Sequence, residues 1–322
     1  MNPNEITLNN TVAGEGLEFK KKRHEGWNTS TKIIEDIIDE LFSSPISEKK
    51  KLEVGENNEV YDIKTESGQE VIIRIHRESP RFEKERWALE RCAEIGIPVP
   101  TILLIRDIVE NGQDLQVCVE TKIDGYSLDK TPPEDLSTVL LELGQILSLL
   151  HSIPTNGFGR LDKEGNGKFS TSADLIRGNV DTLPSKILPY FKDKPEQREI
   201  LERAYEILDR EADKYSSTEP RLAHNDIQPN HILVKDGKIS GLIDFESACG
   251  ADPILDFVLW DYKYGKEYPL EALGIKCDER ELNFWKIYRI LSSLSYCIEN
   301  GKQGGIIRSV KAIEDILKYI NC

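Results

Sequence analysis

The sequence has no closely spaced pair of cysteines. Its six cysteines form neither a Cys-x-x-Cys pattern nor any other tight grouping. Scattered thiols of this kind are typical of a cytoplasmic chain in which they stay reduced, and several should fill the core. They are Cys92, Cys118, Cys249, Cys277, Cys297 and Cys322.

Long apolar runs are also missing. No run approaches the roughly 18 residues that a membrane helix needs. The N-terminus, MNPNEITLNN, lacks the basic and then apolar pattern of a secretion signal. We therefore expect a soluble, cytoplasmic protein that does not associate with membranes.

Basic residues are outnumbered by acidic ones, 42 to 57, which gives a net charge of −15. This balance argues against nucleic acids and anionic membrane surfaces as partners. It is compatible with a cationic small-molecule substrate. The 322 residues suffice for a sizeable core, in one domain with two lobes or in two small domains, and we expect a monomer.

The stretch from Leu222 to Phe245 contains the most informative pattern. Two short apolar runs are joined at Asp236-Gly237, a residue pair typical of a tight β-hairpin. Because a short hairpin brings its outer ends together, the polar residues that flank it should converge on one site. Those residues are His224, Asp226, His231 and Asp244.

Two carboxylates and an imidazole at this spacing suit phosphoryl transfer, which needs positioning and charge neutralisation more than covalent chemistry. Asp226 would accept the hydrogen bond of a substrate hydroxyl and orient its oxygen. His231 and Asp244 would hold the divalent cation, Mg²⁺ or Mn²⁺, that bridges the nucleotide phosphates. His224 would brace the loop near Asp244. The alternative is a capped hairpin with three ordinary polar residues.

Strand patterns precede this hairpin. Alternating apolar residues predict strands at 51–54, 59–65, 70–76, 101–108 and 115–121. A helix from Ser79-Pro80 to about Ile95 interrupts them, and the amphipathic segment TKIIEDIIDELF comes before them. We expect a five-stranded antiparallel meander with one inserted helix.

Four positions in this region are predicted to serve a bound nucleotide. Ile72 and Arg74 share one face of the third strand, where Arg74 would bind the α- and β-phosphates and Ile72 would cover the base. Glu85, on the inserted helix, could orient Arg74. Gly55 lies in the turn between the first two strands, which is either a phosphate-covering loop or an ordinary β-turn.

The rest of the chain is predicted to be mainly helical. Thr121 to Ile123 should form a hinge whose backbone groups contact the base of ATP or GTP. Helices are predicted at 133–153, 195–215, 252–260, 280–299 and 306–320. The fold class is α+β, with a tail (1–30), a nucleotide-binding N-lobe (31–121) and a C-lobe (122–322) for catalysis and substrate binding.

The string HNDIQPNHIL…GLIDFESACGADPILDF resembles the aminoglycoside phosphotransferase family of antibiotic kinases. The strand IIRIH, the helix FEKERWALE and GIPVP are similar to its N-terminal lobe, and the resemblance covers about residues 50 to 300. It implies a kinase that uses ATP or GTP and has a bilobal, protein-kinase-like fold. It also carries the roles given above onto Arg74, Glu85, Asp226, His231 and Asp244.

Two positions depart from the usual patterns. His231 stands where the family usually has Asn, and this form resembles the phosphotransferases that modify the 2″-hydroxyl of aminoglycosides and those that modify macrolides. Arg74 stands where protein kinases have Lys. The loop at 157–169 resembles that of hygromycin-type phosphotransferases. Only seven residues separate Asp244 from Asp252-Pro253, too few for a peptide-docking activation segment, so we do not expect protein substrates.

Three functions stay open from the sequence. The first is a kinase for an aminoglycoside-like or other hydroxylated antibiotic. The second is a metabolic kinase for a sugar-amine, an amino alcohol or a hydroxylated amino acid, and the third is a nucleotide-binding module without transfer. Four acids follow the metal site, so we expect a cleft that favours a cationic acceptor. They are Glu246, Asp252, Asp256 and Asp261.

Overall fold

The structure is a computed structural model that describes residues 24–52, 57–77 and 81–320. Its N-terminal part is a five-stranded antiparallel sheet with two helices, which confirms the predicted sheet and its inserted helix. The strands are β1 (Ile46–Leu52), β2 (Asn58–Thr65), β3 (Glu70–His76), β4 (Ile102–Glu110) and β5 (Gln113–Thr121). The helices are α1 (Thr31–Phe42) and the inserted α2 (Glu83–Glu94).

The order of the strands differs from the predicted meander. Neighbouring strands follow the order β1-β2-β3-β5-β4, so β5 lies beside β3 and β4 forms an edge. β5 is buried continuously from Leu115 to Glu120, whereas β4 alternates between exposed and half-buried residues. A continuously buried strand belongs in the middle of a sheet. After β3 the chain passes through helix α2 and forms the edge strand β4 first. It then returns as β5, between β4 and β3.

The first strand begins earlier than predicted. β1 runs over ISEKKKL, in which four consecutive residues are exposed, so it has no alternating apolar pattern. It is an edge strand, and lysines at an edge discourage pairing with another chain. Residues 53 and 54, which end the predicted strand, lie outside the described residues, as does the predicted helix start at Ser79-Pro80.

The two faces of the sheet have different neighbours. Val71, Ile73 and Ile75 of β3 pack in one apolar cluster with buried isoleucines of α1. Because side chains alternate along a strand, Ile72 and Arg74 lie on the opposite face. That face is turned toward the C-terminal part of the chain.

The C-terminal part is mainly helical, as predicted. Its helices are α3 (Pro133–Leu150), α4 (Ser172–Ile187), α5 (Pro195–Glu211), α6 (Ile254–Tyr264), α7 (Glu279–Glu299) and α8 (Gln303–Ile320). Helix α4 had not been predicted, because Gly178 and Pro184 interrupt its pattern. Gly178 is required there, since a Cβ would lie 2.8 Å from the ring of Phe169.

Two small sheets hold the loops between these helices. In one, the hairpin β9 (Ile232–Lys235) and β10 (Lys238–Leu242) pairs with β6 (Tyr126–Ser127). In the other, β11 (Cys249–Ala251) lies between β7 (Gly159–Arg160) and β8 (Arg221–Ala223). β8 leads into the loop 224–231, which carries Asp226 and is called the first polar loop below. β11 follows the loop 243–248, which carries Asp244 and is called the second polar loop. None of the helices among the described residues is long and apolar enough to cross a bilayer.

Substitution of Gly144 tests how closely α3 packs against the backbone at Leu273. Ala normally stabilises a helix interior over Gly by about 1 kcal/mol. Here a Cβ would lie 1.9 Å from the carbonyl oxygen of Leu273, so the backbones would have to separate. We expect Gly144→Ala to lower the free energy of unfolding by about 1–3 kcal/mol in denaturant titrations. Leu149→Ala, at an exposed position of the same helix, is the control. A stabilised Gly144→Ala protein would contradict this close approach.

Candidate active site

The predicted hairpin is present and brings the polar residues together. Asp236 and Gly237 at its turn have φ angles of 51° and 72°, as a tight hairpin turn requires. Outside the hairpin, β8 and β11 pair with each other, so both polar loops start or end on paired strands. Asp226, His231 and Asp244 consequently converge. One side-chain ligand atom of each lies within 4.8 Å of the others.

His231 has the geometry of a metal ligand. It is buried, and its Nδ1 lies 2.9 Å from the carbonyl oxygen of Asp226, so Nδ1 donates and Nε2 carries the lone pair. Nε2 lies 3.4 Å from Asp244 Oδ2. Burial lowers the pKa of His231, which keeps the imidazole neutral and able to bind a cation. The Asp244 carboxylate and this neutral imidazole fit Mg²⁺ or Mn²⁺, and the imidazole favours Mn²⁺.

A hydrogen-bond chain that sequence analysis missed holds Asp226. The side-chain amide of Gln228 donates to Asp226 Oδ2 at 2.9 Å, and the hydroxyl of Tyr264 donates to Gln228 Oε1 at 3.1 Å. The Asp226 side chain is 29% exposed. Gln228 therefore fixes one carboxylate oxygen, while Oδ1 has no donor among the residues that the structure describes. This oxygen is free to accept a hydroxyl.

Asp244 connects the second polar loop with the N-terminal sheet. It adopts a left-handed backbone, with φ of 66°, and its Oδ1 lies 3.4 Å from Nη2 of Arg74. The next residue, Phe245, donates its main-chain N–H to Glu85 Oε1 at 3.0 Å. His224 Nε2 donates to the carbonyl that precedes Asp244, also at 3.0 Å, so the predicted brace is present.

Arg74 is buried among four carboxylates. Its Nη1 lies 2.7 Å from Glu85 Oε1, the predicted contact, and 3.4 Å from Glu120 Oε2. Its Nη2 lies 3.4 Å from Asp244 and 3.8 Å from Glu246. Glu120 was not foreseen, although a carboxylate in the apolar run of β5 was a signal for it. Arg74 thus links both parts of the chain.

The carboxylates of this cluster differ in their ionisation. Burial raises the pKa of Glu85 to about 7, although the charge of Arg74 opposes the shift. Burial also raises the pKa of Glu120. For Glu246, burial is outweighed by Arg81 and Arg74, and its pKa is lowered. The cluster therefore carries less negative charge near neutral pH than the number of its carboxylates suggests.

Asp256 anchors the first polar loop. It is fully buried in α6, and its carboxylate accepts the main-chain N–H of Asn225 at 2.6 Å and of His224 at 2.9 Å. Nε2 of His151 donates to the same carboxylate at 2.9 Å. Burial would raise the pKa of Asp256, but the hydrogen bond and charge of His151 lower it overall. The bonds fix Asn225 in a left-handed conformation directly before Asp226.

The four acids that follow the metal site, from which a cation-favouring cleft was expected, all have partners within the fold, and the expected helix cap at Asp252 is present. Asp256 binds the loop, and Glu246 is buried and pairs with Arg81. Asp252 accepts the first main-chain N–H of α6 at 3.1 Å, and Asp261 lies 2.5 Å from the ammonium of a lysine in α7. These carboxylates are partners within the fold. A lone acid in the apolar segment ILDFVLW was the signal for the buried Asp256.

The other predicted nucleotide contacts lie around the cleft. Ile72 is half-buried on the cleft side of β3. Thr121 ends β5, and the chain continues without regular structure through Ile123, whose side chain packs on Gly241 of β10. The predicted hinge therefore contacts the hairpin that leads to Asp244. Gly55 lies outside the described residues, and its role stays a prediction.

The chain has a two-lobed, protein-kinase-like fold, which it shares with solved phosphotransferases. The aminoglycoside phosphotransferase APH(4)-Ia has a TM-score of 0.74 at 19% identity, covering 90% of this chain and 99% of its own. The gentamicin complex of APH(2″)-IIa has a TM-score of 0.59 at 16% identity, covering 89% and 96%. At these identities the likeness establishes the fold alone. It confirms the fold class expected from the sequence.

The family is identified by sequence. Residues 49–279 match the phosphotransferase enzyme family (APH), and the chain belongs to it. Hygromycin-B 4-O-kinase from Escherichia coli is 24% identical over 225 residues, which span 68% of this chain but only 63% of that relative. The uncharacterized protein YcbJ from Bacillus subtilis (strain 168) is 43% identical over 47 residues, 14% of this chain and 15% of its own. The predicted family is confirmed.

His231→Asn tests the metal-ligand assignment. An Asn carbonyl has no proton to lose, whereas an imidazole binds a cation only when neutral. Because burial lowers the pKa of His231, the wild-type affinity relative to the variant should stay level from about pH 8 to about 6.5, the pKa of free His, and fall below that. The measurement is Mn²⁺-dependent nucleotide binding at three pH values. A level ratio at all three, with reduced thermal stability of the variant, indicates a purely structural histidine.

Glu85 should make stability depend on pH. Its pKa is raised to about 7 in the folded protein, so the native state binds this proton more tightly than the unfolded chain does. The resulting stabilisation is complete below about pH 4.3, the pKa of free Glu, and is lost as the pH rises through about 7. In nucleotide-free protein, the free energy of unfolding of wild type relative to Glu85→Gln should therefore fall over this range in denaturant titrations.

The control for this measurement is Glu90→Gln, at an exposed position of the same helix. Its free energy of unfolding should differ little from that of wild type. A wild-type advantage over Glu85→Gln that grows as the pH rises would contradict the raised pKa.

Proposed function

We propose that this enzyme transfers the γ-phosphate of ATP or GTP to an alcohol hydroxyl of a small molecule. The observation that carries the proposal is the convergence of Asp226, His231 and Asp244 beside the Arg74–Glu85 pair. These groups supply a hydroxyl acceptor, cation ligands and a phosphate ligand, which phosphoryl transfer requires. Membership of the phosphotransferase enzyme family supports the same reaction.

Asp226 is the proposed catalytic residue. Its Oδ1 would accept the hydrogen bond of the acceptor hydroxyl and turn that oxygen toward the γ-phosphate. Gln228, held by Tyr264, fixes the other carboxylate oxygen and so sets the direction of Oδ1. His231 and Asp244 would hold Mg²⁺ or Mn²⁺, which neutralises phosphate charge when bound.

We place the nucleotide between an N-lobe (31–121) and a C-lobe (122–322), with 1–30 as a tail. Arg74 would bind the α- and β-phosphates, and Glu85 would hold Arg74 in position. Ile72 would cover the base, and backbone groups from Thr121 to Ile123 would contact its edge. Gly55 belongs to the same proposal as part of the loop above the phosphates. The enzyme would act as a monomer in the cytoplasm, where ATP and GTP are present.

Two acceptor classes are proposed. The name of the Escherichia coli relative, and the aminoglycosides in the solved complexes, support an aminoglycoside-like or other antibiotic. The second class is a metabolite such as a hydroxylated amino acid. It is favoured by the internal pairing of Glu246, Asp256 and Asp261, which leaves these acids unavailable to a polycationic acceptor.

Asp226→Asn tests the transfer step. An amide cannot take up the hydroxyl proton, so kcat should fall by about 10²–10⁴-fold. Nucleotide affinity should stay within about three-fold, because Asp226 touches the acceptor rather than the nucleotide. The measurements are coupled nucleotide turnover and calorimetric nucleotide binding. Asp209→Asn, an exposed change of the same kind, is the control. Full turnover by Asp226→Asn would show that another group accepts the proton.

A further inference from the structure

One surface beside Asp226 is positively charged although the chain as a whole is acidic. Three side chains form it, each from a different helix: Lys263 of α6, Arg289 of α7 and Arg308 of α8. We call them the cationic cluster. Lys263 and Arg308 are exposed, and Arg289 is half-buried.

Helical geometry places Lys263 at the catalytic loop. Asp256 of α6 accepts the main-chain N–H of Asn225, so that face of the helix is turned toward the loop. Lys263 follows seven residues later, almost two full turns, and lies on the same face. The adjacent Tyr264 donates to the amide that holds Asp226. Burial lowers the pKa of Lys263 and the charge of Asp226 opposes that shift, so Lys263 is within electrostatic range of Asp226.

Arg289 is fixed to the same loop from α7. Its Nη2 donates to the carbonyl of Asn225 at 3.0 Å, one residue before Asp226. Its Nε is buried and has no hydrogen-bond partner in the described part of the chain. Arg289 therefore contacts the loop with one edge of its guanidinium and keeps further donors unused.

Arg308 reaches the cluster from α8. The neighbouring Ser309 is buried and acts on Tyr262 of α6, the residue before Lys263. The charge of Arg308 acts on both Lys263 and Tyr264, so Arg308 lies near both.

Salt bridges do not neutralise these cations. No member of the cluster forms one with any residue within 24–52, 57–77 and 81–320. Lys286, one turn before Arg289, is in contrast paired with Asp261. Asp226 and Glu267 act on this region through their charge, and neither forms a salt bridge with a member of the cationic cluster. The cluster therefore keeps cationic groups that no carboxylate of the described residues pairs with, and Asp226 is the proposed hydroxyl acceptor.

We propose that the cationic cluster binds a carboxylate or phosphate group of the acceptor whose hydroxyl is presented to Asp226. The inference rests on the phosphotransfer proposed above and specifies its acceptor as a small hydroxylated acid. Unpaired Lys and Arg side chains form charge-assisted hydrogen bonds with such a group. A polycationic acceptor would meet like charges at the same place.

The test uses the full chain saturated with a non-hydrolysable ATP or GTP analogue and Mn²⁺. Calorimetry then measures binding of glycerate, glycerol 3-phosphate, neutral glycerol and cationic hygromycin B. Glycerate or glycerol 3-phosphate should bind at least about 10-fold more tightly than glycerol and hygromycin B. Lys263→Ala/Arg308→Ala should lose that advantage and keep its nucleotide affinity. The control Lys163→Ala/Lys192→Ala removes the same charge at exposed sites and should keep the tighter binding of the acids.

Every other result contradicts a specific part of the proposal. If the nucleotide analogue does not bind, the proposed phosphotransfer fails and the acceptor inference fails with it. If the analogue binds but both acids bind no better than glycerol, or hygromycin B binds more tightly than they do, only the anionic acceptor is excluded. Equal acid binding by wild type and Lys263→Ala/Arg308→Ala removes the cluster from acceptor binding. A 10-fold loss of nucleotide affinity in that variant assigns the cluster to the nucleotide phosphates instead.

Discussion

The burial of Arg74 is the interaction on which the arrangement of the site depends. A guanidinium stays charged at any accessible pH, so it can be buried only if carboxylates surround it. Here α2, β5 and the loop after β10 each contribute, through Glu85, Glu120, Asp244 and Glu246. Because removing one partner of a buried charge typically costs about 3–5 kcal/mol, the sheet and the loop that carries Asp244 are held in one relative position.

Buried carboxylates hold both polar loops by accepting their main-chain N–H groups, one from the N-terminal part and one from the C-terminal part. Glu85, in the N-terminal part, accepts the N–H of Phe245, and Asp256, in the C-terminal part, accepts N–H groups at the start of the other loop. Each loop contains a non-glycine residue with a left-handed backbone, Asn225 in one and Asp244 in the other. Such residues are strained, and they persist only where surrounding bonds determine the conformation. Buried carboxylates supply those bonds here.

This dependence on distant carboxylates explains what could be predicted from the sequence. The hairpin, its Asp236-Gly237 turn and the convergence of the motif residues follow from local pattern, and so does the Arg74–Glu85 contact once the strand and helix are recognised. The loop-anchoring role of Asp256 and the place of Glu120 beside Arg74 were not foreseen, because the burial of both depends on elements far away in the sequence. The strand order failed for the same reason. A pattern of apolar residues predicts a strand but not its neighbours.

The cleft also shows why net charge is a poor guide to an acceptor. Of the acids that follow the motif, those nearest the site neutralise an arginine, a lysine or main-chain amides inside the fold, so the field at Asp226 depends on the cations left unpaired. Lys263 and Asp256 lie on one face of α6, about two turns apart, where one would contact the acceptor and the other anchors the catalytic loop. A substitution at Lys263 therefore changes the charge that an acceptor meets without touching the bonds that fix the loop. Acceptor choice can vary on this helix while the geometry of the proposed transfer is retained.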